Sequence, residues 1–286
     1  MMNKNIEVAQ LCDYGYKERK FSKCLWKILK YGFIVISCLL LYLPIFIIFL
    51  QSINSTTDNF QFTGLTLKWY LEIVHHDSLM NSIKNTFIIS ISTSLIVTVL
   101  GTFVAIGIHV LEQKTRRRII LLNNVPLLNS DIVTGISLML MFSLLLPLFP
   151  YIFGFPTLLL AHLFFTFPYV ILSVLPKIRE VNPSLMDAAL DLGLTPFKAL
   201  VKALIPSLKS GILSGMLLAF TMSFDDFVVS YFTTGNGFDN FSIWIYGAIG
   251  RKSLSPTVYA FSSIMTIVTI GFVVILNLKK DKKQNG

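Results

Sequence analysis

The chain has 286 residues, 54% of them hydrophobic and only 14% charged, with a formal net charge of +9. Soluble domains carry about 25% charged residues, so this balance excludes a water-soluble globular protein and points to membrane spans. The basic excess is no nucleic-acid signature either, because the cations sit at the ends of apolar runs and in the segments between them.

Residues 1–30 are polar, basic and weakly patterned, and read as a cytoplasmic tail with an amphipathic end over 21–29. The first apolar run, 31–52, is too long for a signal-peptide core and is read as an uncleaved span. Cys12, Cys24 and Cys38 show no metal-ligand spacing and read as small apolar side chains on the reducing side. A long external loop, 54–80, holds Trp69, Tyr70, His75 and His76, with a short surface helix expected over 66–71. Adjacent histidines on a helix point about 100° apart, so His75 and His76 make no metal pair. The second span is expected over 85–110. The Arg116-Arg117-Arg118 triplet follows as an anchor near anionic lipid.

The uncharged stretch 132–176 is too long for one span. Pro147, Pro150, Gly154 and Pro156 divide it into spans over 132–148 and 157–175. His162 lies in the second of these, where a neutral imidazole bonded to a neighbouring helix is the simplest reading. The fifth span, 211–232, contains Asp225 and Asp226. An external segment follows, apolar enough over 241–249 to lie on the membrane or re-enter it. The sixth span covers 256–278 and a basic tail covers 279–286. With both termini inside, Lys and Arg number 7, 4, 5 and 4 in the four cytoplasmic segments, and only Lys68, Lys84, Arg251 and Lys252 lie outside. That asymmetry sets the orientation. The expected fold is all-α: a polytopic membrane protein with six spans in one domain, 31–278.

The cytoplasmic loop 178–207 carries unusual helix-coding detail. Ser184 and Asp187 have capping-box spacing, Gly193 suits a left-handed helix stop, and Thr195-Pro196 reads as an N-cap followed by the first helical residue. Pro206 marks the approach to the next span. The loop is therefore expected to be helix, sharp turn, helix. Leu185, Ala188, Ala189 and Leu192 fall at helical spacing as one apolar stripe flanked by Asp187 and Asp191. An interfacial helix would carry Lys or Arg there instead, so the stripe reads as a docking face for another protein.

Acids at membrane depth are disfavoured by about 2.5–3.5 kcal/mol on insertion scales, and so mark pathways. Asp225 and Asp226 fall about 14 residues into the expected fifth span, roughly 21 Å along it. Asp131 opens the third span and is placed toward the cytoplasm. The expected spans hold no Lys or Arg to neutralise these acids, which invites a cation. Ser223 adds a hydrogen-bonding group, and Phe220, Phe224, Phe227, Tyr231 and Trp69 supply aromatic walls for cation–π contact. No catalytic, cofactor or metal constellation is visible. No phosphate-cradling loop is present; Gly250-Arg251-Lys252-Ser253 lacks the earlier glycine. An ATP-driven process would need a separate ATPase.

Asp187-Ala188-Ala189, Gly193 and Ile205-Pro206 resemble the EAA loop of ABC-importer permeases, with Asp for Glu and Ile for Leu. Trp69-Tyr70, Ser130-Asp131-Ile132-Val133, Asp191-Leu192-Gly193, Ser223-Phe224-Asp225-Asp226 and Thr233-Thr234-Gly235 resemble, in the same order, the C-type membrane subunit of spermidine/putrescine importers. The resemblance covers the chain from about residue 30 onward. It implies a type I importer permease in the bacterial cell membrane, working with a second, B-type permease subunit, two ATP-binding subunits and an external polyamine-binding protein. By the same resemblance, Asp187, Ala188, Ala189, Gly193 and Pro206 couple to the ATPase. Asp225, Asp226, Ser223, Asp131 and Trp69 would line the substrate pathway. The 66–71 region and 238–249 would meet the binding protein. Pro196 and Ala203 depart from the family pattern, as does Asp187, whose side chain reaches one methylene less far. Competing expectations are an ABC permease for another cationic or small polar solute, or a secondary transporter. The latter would show inverted symmetry or broken helices, and it leaves the EAA-like loop unexplained. Spermidine against putrescine, a different partner against a second copy, and the carboxylate that touches cargo stay open at this point.

Overall fold

Lipid offers no hydrogen-bond partner to the backbone, so apolar crossing segments must satisfy their N–H and C=O groups internally, as helices. A computed structural model describes residues 2–56, 61–235, 237–249 and 256–284, and apart from one isolated bridge between Asn54 and Leu65 its regular structure is helical. In chain order the helices are α1 (Met2–Ser52), α2 (Lys68–His75), α3 (Asp77–Val110), α4 (Gln113–Leu128), α5 (Asp131–Ser143), α6 (Phe155–Glu180), α7 (Ser184–Asp191) and α8 (Pro196–Ala199). A π-helical turn, Leu200–Leu204, leads to α9 (Ile205–Ser207), α10 (Lys209–Asp225), α11 (Val228–Thr233), α12 (Phe241–Ile249) and α13 (Pro256–Gln284). The chain divides into two compact units, Met1–Ile73 with Ser255–Gly286, and Val74–Leu254.

The six expected crossing segments are all helical, but two are not single rods. Leu29–Ser52, α3 and α6 are each long and apolar enough to cross a membrane. The third passes only as α4 with α5, bent by 101°, and the fifth only as Pro196–Ser207 with α10, bent by 73°. The sixth contributes the apolar stretch Pro256–Val268. Several expectations are corrected. The weakly patterned stretch 2–30 is helical and continuous with the first span, which its sequence pattern did not indicate. The second helix begins at Asp77, where His76 Nδ1 accepts from Leu79 N at 3.3 Å. The third ends at Ser143 rather than residue 148. The fifth stops at Asp225 and restarts at Val228. A broken helix is therefore present here and does not single out a secondary transporter.

In the first unit α1 packs on α13. The Trp69 indole N–H donates to Asn54 O at 2.6 Å, and the Tyr70 hydroxyl lies 2.8 Å from both Ser52 Oγ and Ser263 Oγ. In the second unit α3, α6 and α10 pack on one another around Val97, Ile106, Val170, Val174, Leu208 and Ala219. Small residues allow the approach: a Cβ at Gly101 would stand 2.8 Å from Val170 Cγ1, and Gly215 faces the same valine. The facing surface of α3 is a buried row that includes Ser90, Thr93, Thr98 and Thr102. Without a hydrophobic drive between helices in lipid, such small polar seams are how spans associate. Arg116 is more than a lipid anchor, since its Nη2 donates to His109 O (2.6 Å) and Leu111 O (3.0 Å) and closes the end of α3.

Candidate functional site: a polar break and an exposed elbow

The break between α10 and α11 follows from two consecutive acids at the end of an apolar run. At 17 residues, α10 is about 26 Å long. That is slightly less than an apolar layer of about 30 Å. A backbone opened at such depth needs protein partners for its freed groups. Asp226 supplies some of them by turning back on the chain: its carboxylate accepts from Ser230 N at 2.7 Å and Val229 N at 3.4 Å, capping the start of α11. Asn240 completes the set. Its Nδ2 donates to Asp226 O (3.2 Å) and Ser230 Oγ (2.8 Å), while its Oδ1 accepts from Ile243 N (2.9 Å) and starts α12.

His162, fully buried on α6, joins both sides of this break. Its Nδ1 lies 2.7 Å from Ser223 Oγ on α10 and its Nε2 lies 2.9 Å from Ser230 Oγ on α11. Asp226 Oδ2 is 3.6 Å from the same Nε2. The expectation of an imidazole bonded to a neighbouring helix thus holds, and the neighbours are two, not one. Ser223 is itself buried and engaged with this ring. The parts that sequence reading missed are Ser230 and Asn240. Their only signal is that both are polar and close to Asp226 in sequence.

Asp225 differs from its neighbour: its residue is exposed, and among the described residues no hydrogen bond or ion pair holds its carboxylate. Asp131 starts α5 and is also exposed. One turn on, Gly135 lies directly against α11, where a Cβ would stand 2.9 Å from Phe232 Cδ2 and 3.4 Å from Val228 O. Asp131 thus stands one turn before the point where α5 packs on α11. Aromatic rings crowd the same break. Phe227 lies 5.6 Å from Tyr231 and 4.9 Å from Tyr246 of α12, and Phe224 lies 5.6 Å from Phe220. Trp69 belongs to the other unit, where it is buried at 8% exposure. Among the described residues no group of three or more His, Cys, Asp or Glu could hold a metal.

The second feature is the elbow from Asn182 to Leu208. Helix α7 stops as expected: Gly193 has φ +81°, Gly193 N donates to Leu190 O (2.8 Å) and Leu194 N to Ala189 O (3.2 Å), the paired bonds of a Schellman end. Its start departs from expectation, because Ser184 and Asp187 form no capping box. Asn182 Oδ1 takes the role, accepting from Ser184 N (3.1 Å) and Ser184 Oγ (2.8 Å). Thr195 and Pro196 do open α8, though the Thr195 hydroxyl makes no capping bond. The π-turn then lets Ile205 N reach back five residues to Leu200 O, just before Pro206, which has no N–H to offer. Burial splits the expected stripe. Ala189 is buried and Met186 packs against the core, whereas Asp187, Ala188 and Asp191 are exposed, as are Leu192 at 83% and Phe197 at 68%.

Comparison with known proteins places both features in one family. Residues 115–280 match the family model described as binding-protein-dependent transport system inner membrane component. The chain is 28% identical over 260 residues to the spermidine/putrescine transport system permease protein PotC of Escherichia coli K12, covering 91% of this chain and 97% of that one. It is 27% identical over 250 residues to PotC of Haemophilus influenzae, covering 87% and 95%, and 28% identical over 252 residues to the putrescine transport system permease protein PotI of E. coli K12, covering 85% and 88%. Among solved structures, a bacterial ABC transporter that imports the acidic polysaccharide alginate superposes with a TM-score of 0.61 at 16% identity, over 89% of this chain and 98% of that one. The alginate transporter in complex with its pentasaccharide-bound periplasmic protein gives 0.62 at 17%, over 91% and 94%.

Proposed function

The chain belongs to the binding-protein-dependent transport system inner membrane components, and on that premise we propose that it forms half of the membrane pathway of an ATP-driven polyamine importer. It is a multi-pass permease subunit and not an enzyme; the ATPase is a separate chain. The observation that carries the cargo assignment is an exposed Asp225 at the break in the fifth span, next to Asp226, with Asp131 at the start of the helix that packs on α11. Among the described residues no Lys or Arg pairs with any of them. Carboxylates without fixed counter-charge, beside Phe227, Tyr231 and Tyr246, suit a flexible chain of ammonium groups and methylenes. The names of the relatives support the same cargo, and the anionic cargo of the alginate transporter does not suit these acids.

The exposed elbow is the coupling surface in this reading. Asp187, Ala188 and Leu192 meet a cleft on the ATPase, while Ala189, Gly193 and Pro206 set the elbow's shape against the spans. A B-type permease subunit completes the pathway, two ATP-binding subunits drive it, and an extracellular or periplasmic polyamine-binding protein loads it. Both termini lie in the bacterial cytoplasm, as the basic segments require. The domain arrangement proposed with it is a tail over 1–30, the permease over 31–278 and a basic tail over 279–286.

The test is uptake of labelled spermidine and putrescine by proteoliposomes holding the assembled complex, with and without ATP. ATP-dependent accumulation of either, reduced at least about fivefold by Asp225→Asn at substrate well below KM, is the expected result. Accumulation of arginine or thiamine in place of polyamine would change the cargo. Transport by this polypeptide alone, without nucleotide or companion subunits, would overturn the reading.

A further inference from the structure

We propose that the two adjacent carboxylates have separate jobs: Asp226, locked by His162, is the anchor that holds the broken fifth span in shape, and Asp225 is the carboxylate left to meet cationic cargo. The second half rests on the importer reading above; the first does not.

The bonding around the break supports the division. One proton assignment accommodates the imidazole contacts. Ser223 donates its hydroxyl proton to Nδ1 of His162, and Nε2–H donates to Ser230 Oγ. The Asp226 carboxylate takes Ser230 N–H on one oxygen and Val229 N–H on the other. Asn240 fills the remaining lone pair on Ser230 Oγ. Asp226 is thus occupied on both oxygens, and its side chain keeps only 10% exposure. A carboxylate so engaged has little left for a passing ammonium group. Asp225 has none of these bonds and is exposed. The lock also spans elements: His162 stands on α6, Ser223 on α10, Ser230 on α11, and Asn240 at the head of α12. His162, Ser230 and Asn240 are positioning residues in this scheme. They fix where α10 ends and therefore where Asp225 stands.

The experiment separates cargo binding from positioning by kinetics, and separates both from cargo identity by labelling. In the assembled complex, Asp225→Asn is expected to raise the KM for spermidine about tenfold with Vmax within about twofold. Asp226→Asn and His162→Leu are expected to lower Vmax about tenfold with KM little changed. His162→Gln, whose amide presents one donor and one acceptor at nearly the imidazole spacing, should recover at least about half of Vmax. For the cargo-independent arm, Cys12, Cys24 and Cys38 are replaced by Ser and Val229→Cys is introduced. Val229 is buried where α5 meets α11, so its thiol is protected while the lock holds. His162→Leu and Asp226→Asn should speed maleimide labelling about tenfold, and Asp225→Asn should not. Unchanged labelling, or a KM effect of Asp226→Asn as large as that of Asp225→Asn, would overturn the division. If the wild-type complex moves no polyamine but the labelling shift appears, the cargo reading and the role of Asp225 fall, and the anchor stands.

Discussion

The polar break and the elbow are both interruptions of a helical run, yet they end in opposite states. At the break, His162, Ser223, Ser230, Asp226 and Asn240 bond to one another inside the protein, and Asp225 is left over. At the elbow, the backbone satisfies itself through Gly193 and Asn182, and the side chains are left over: Asp187, Leu192 and Phe197 are exposed, with no hydrogen bond or ion pair to Asp187 among the described residues. The difference teaches which region is finished when this chain folds and which is finished by another molecule. A substitution in the first should register in the chain's own stability. A substitution on the second should register in coupled transport alone.

The most damaging way to test that contrast is to unmake the lock. His162→Leu strands the buried Ser223 hydroxyl, a loss of about 1–3 kcal/mol, and takes from Ser230 one of its partners, so the thermal unfolding midpoint of the solubilised chain should fall clearly. Gly193→Val comes next. A β-branched residue at φ +81° is strained by about 1–2 kcal/mol, and because α7 then leaves the elbow at another angle, ATP-driven uptake should drop about tenfold. Leu192→Ser should show the converse. At 83% exposure it contributes nothing to the chain's own packing, so stability should stay within about 0.5 kcal/mol of wild type. Co-purification of the ATPase should nevertheless weaken, and uptake should fall with it. Loss of chain stability in Leu192→Ser would erase the contrast.

How much of this was legible beforehand depends on the range of the interaction. The crossing segments came from runs of apolar residues, a signal that lies along the chain. The helical stop at Gly193 did too, because a left-handed end is a local demand. Asp225 and Asp226 were identifiable as acids in an apolar run. What separates them was not, because Asp226 is occupied by groups four and 14 residues ahead and, through His162, by a helix 64 residues back. The setting of Asp131 was out of reach for the same reason: α4 and α5 meet at 101°, and α5 packs on α11. The elbow's stripe failed more subtly: period counting finds an apolar face but not which part a neighbouring turn already covers. Here α7 packs against the π-turn and α8, with Ala189 buried and Leu192 in the open.

The smallest expected effect concerns the entry to α7, where sequence spacing and geometry assign the cap to different residues. Ser184 with Asp187 has the spacing of a capping box, but neither side chain reaches a free N–H of the first turn. Asn182 Oδ1 does, at 3.1 Å from Ser184 N, and it also takes the Ser184 hydroxyl at 2.8 Å. Asn182→Ala should therefore cost about 1 kcal/mol and fray the first turn. Ser184→Ala removes only an exposed hydroxyl that donates to Asn182, and should cost no more than about 0.3 kcal/mol. Hydrogen exchange at Leu185 and Met186 reads the fraying directly, because those amides lie in the turn that Asn182 holds. Faster exchange in Ser184→Ala than in Asn182→Ala would return the cap to the capping box. It would also make Asp187 part of the helix start, and so less available to a cleft on another subunit.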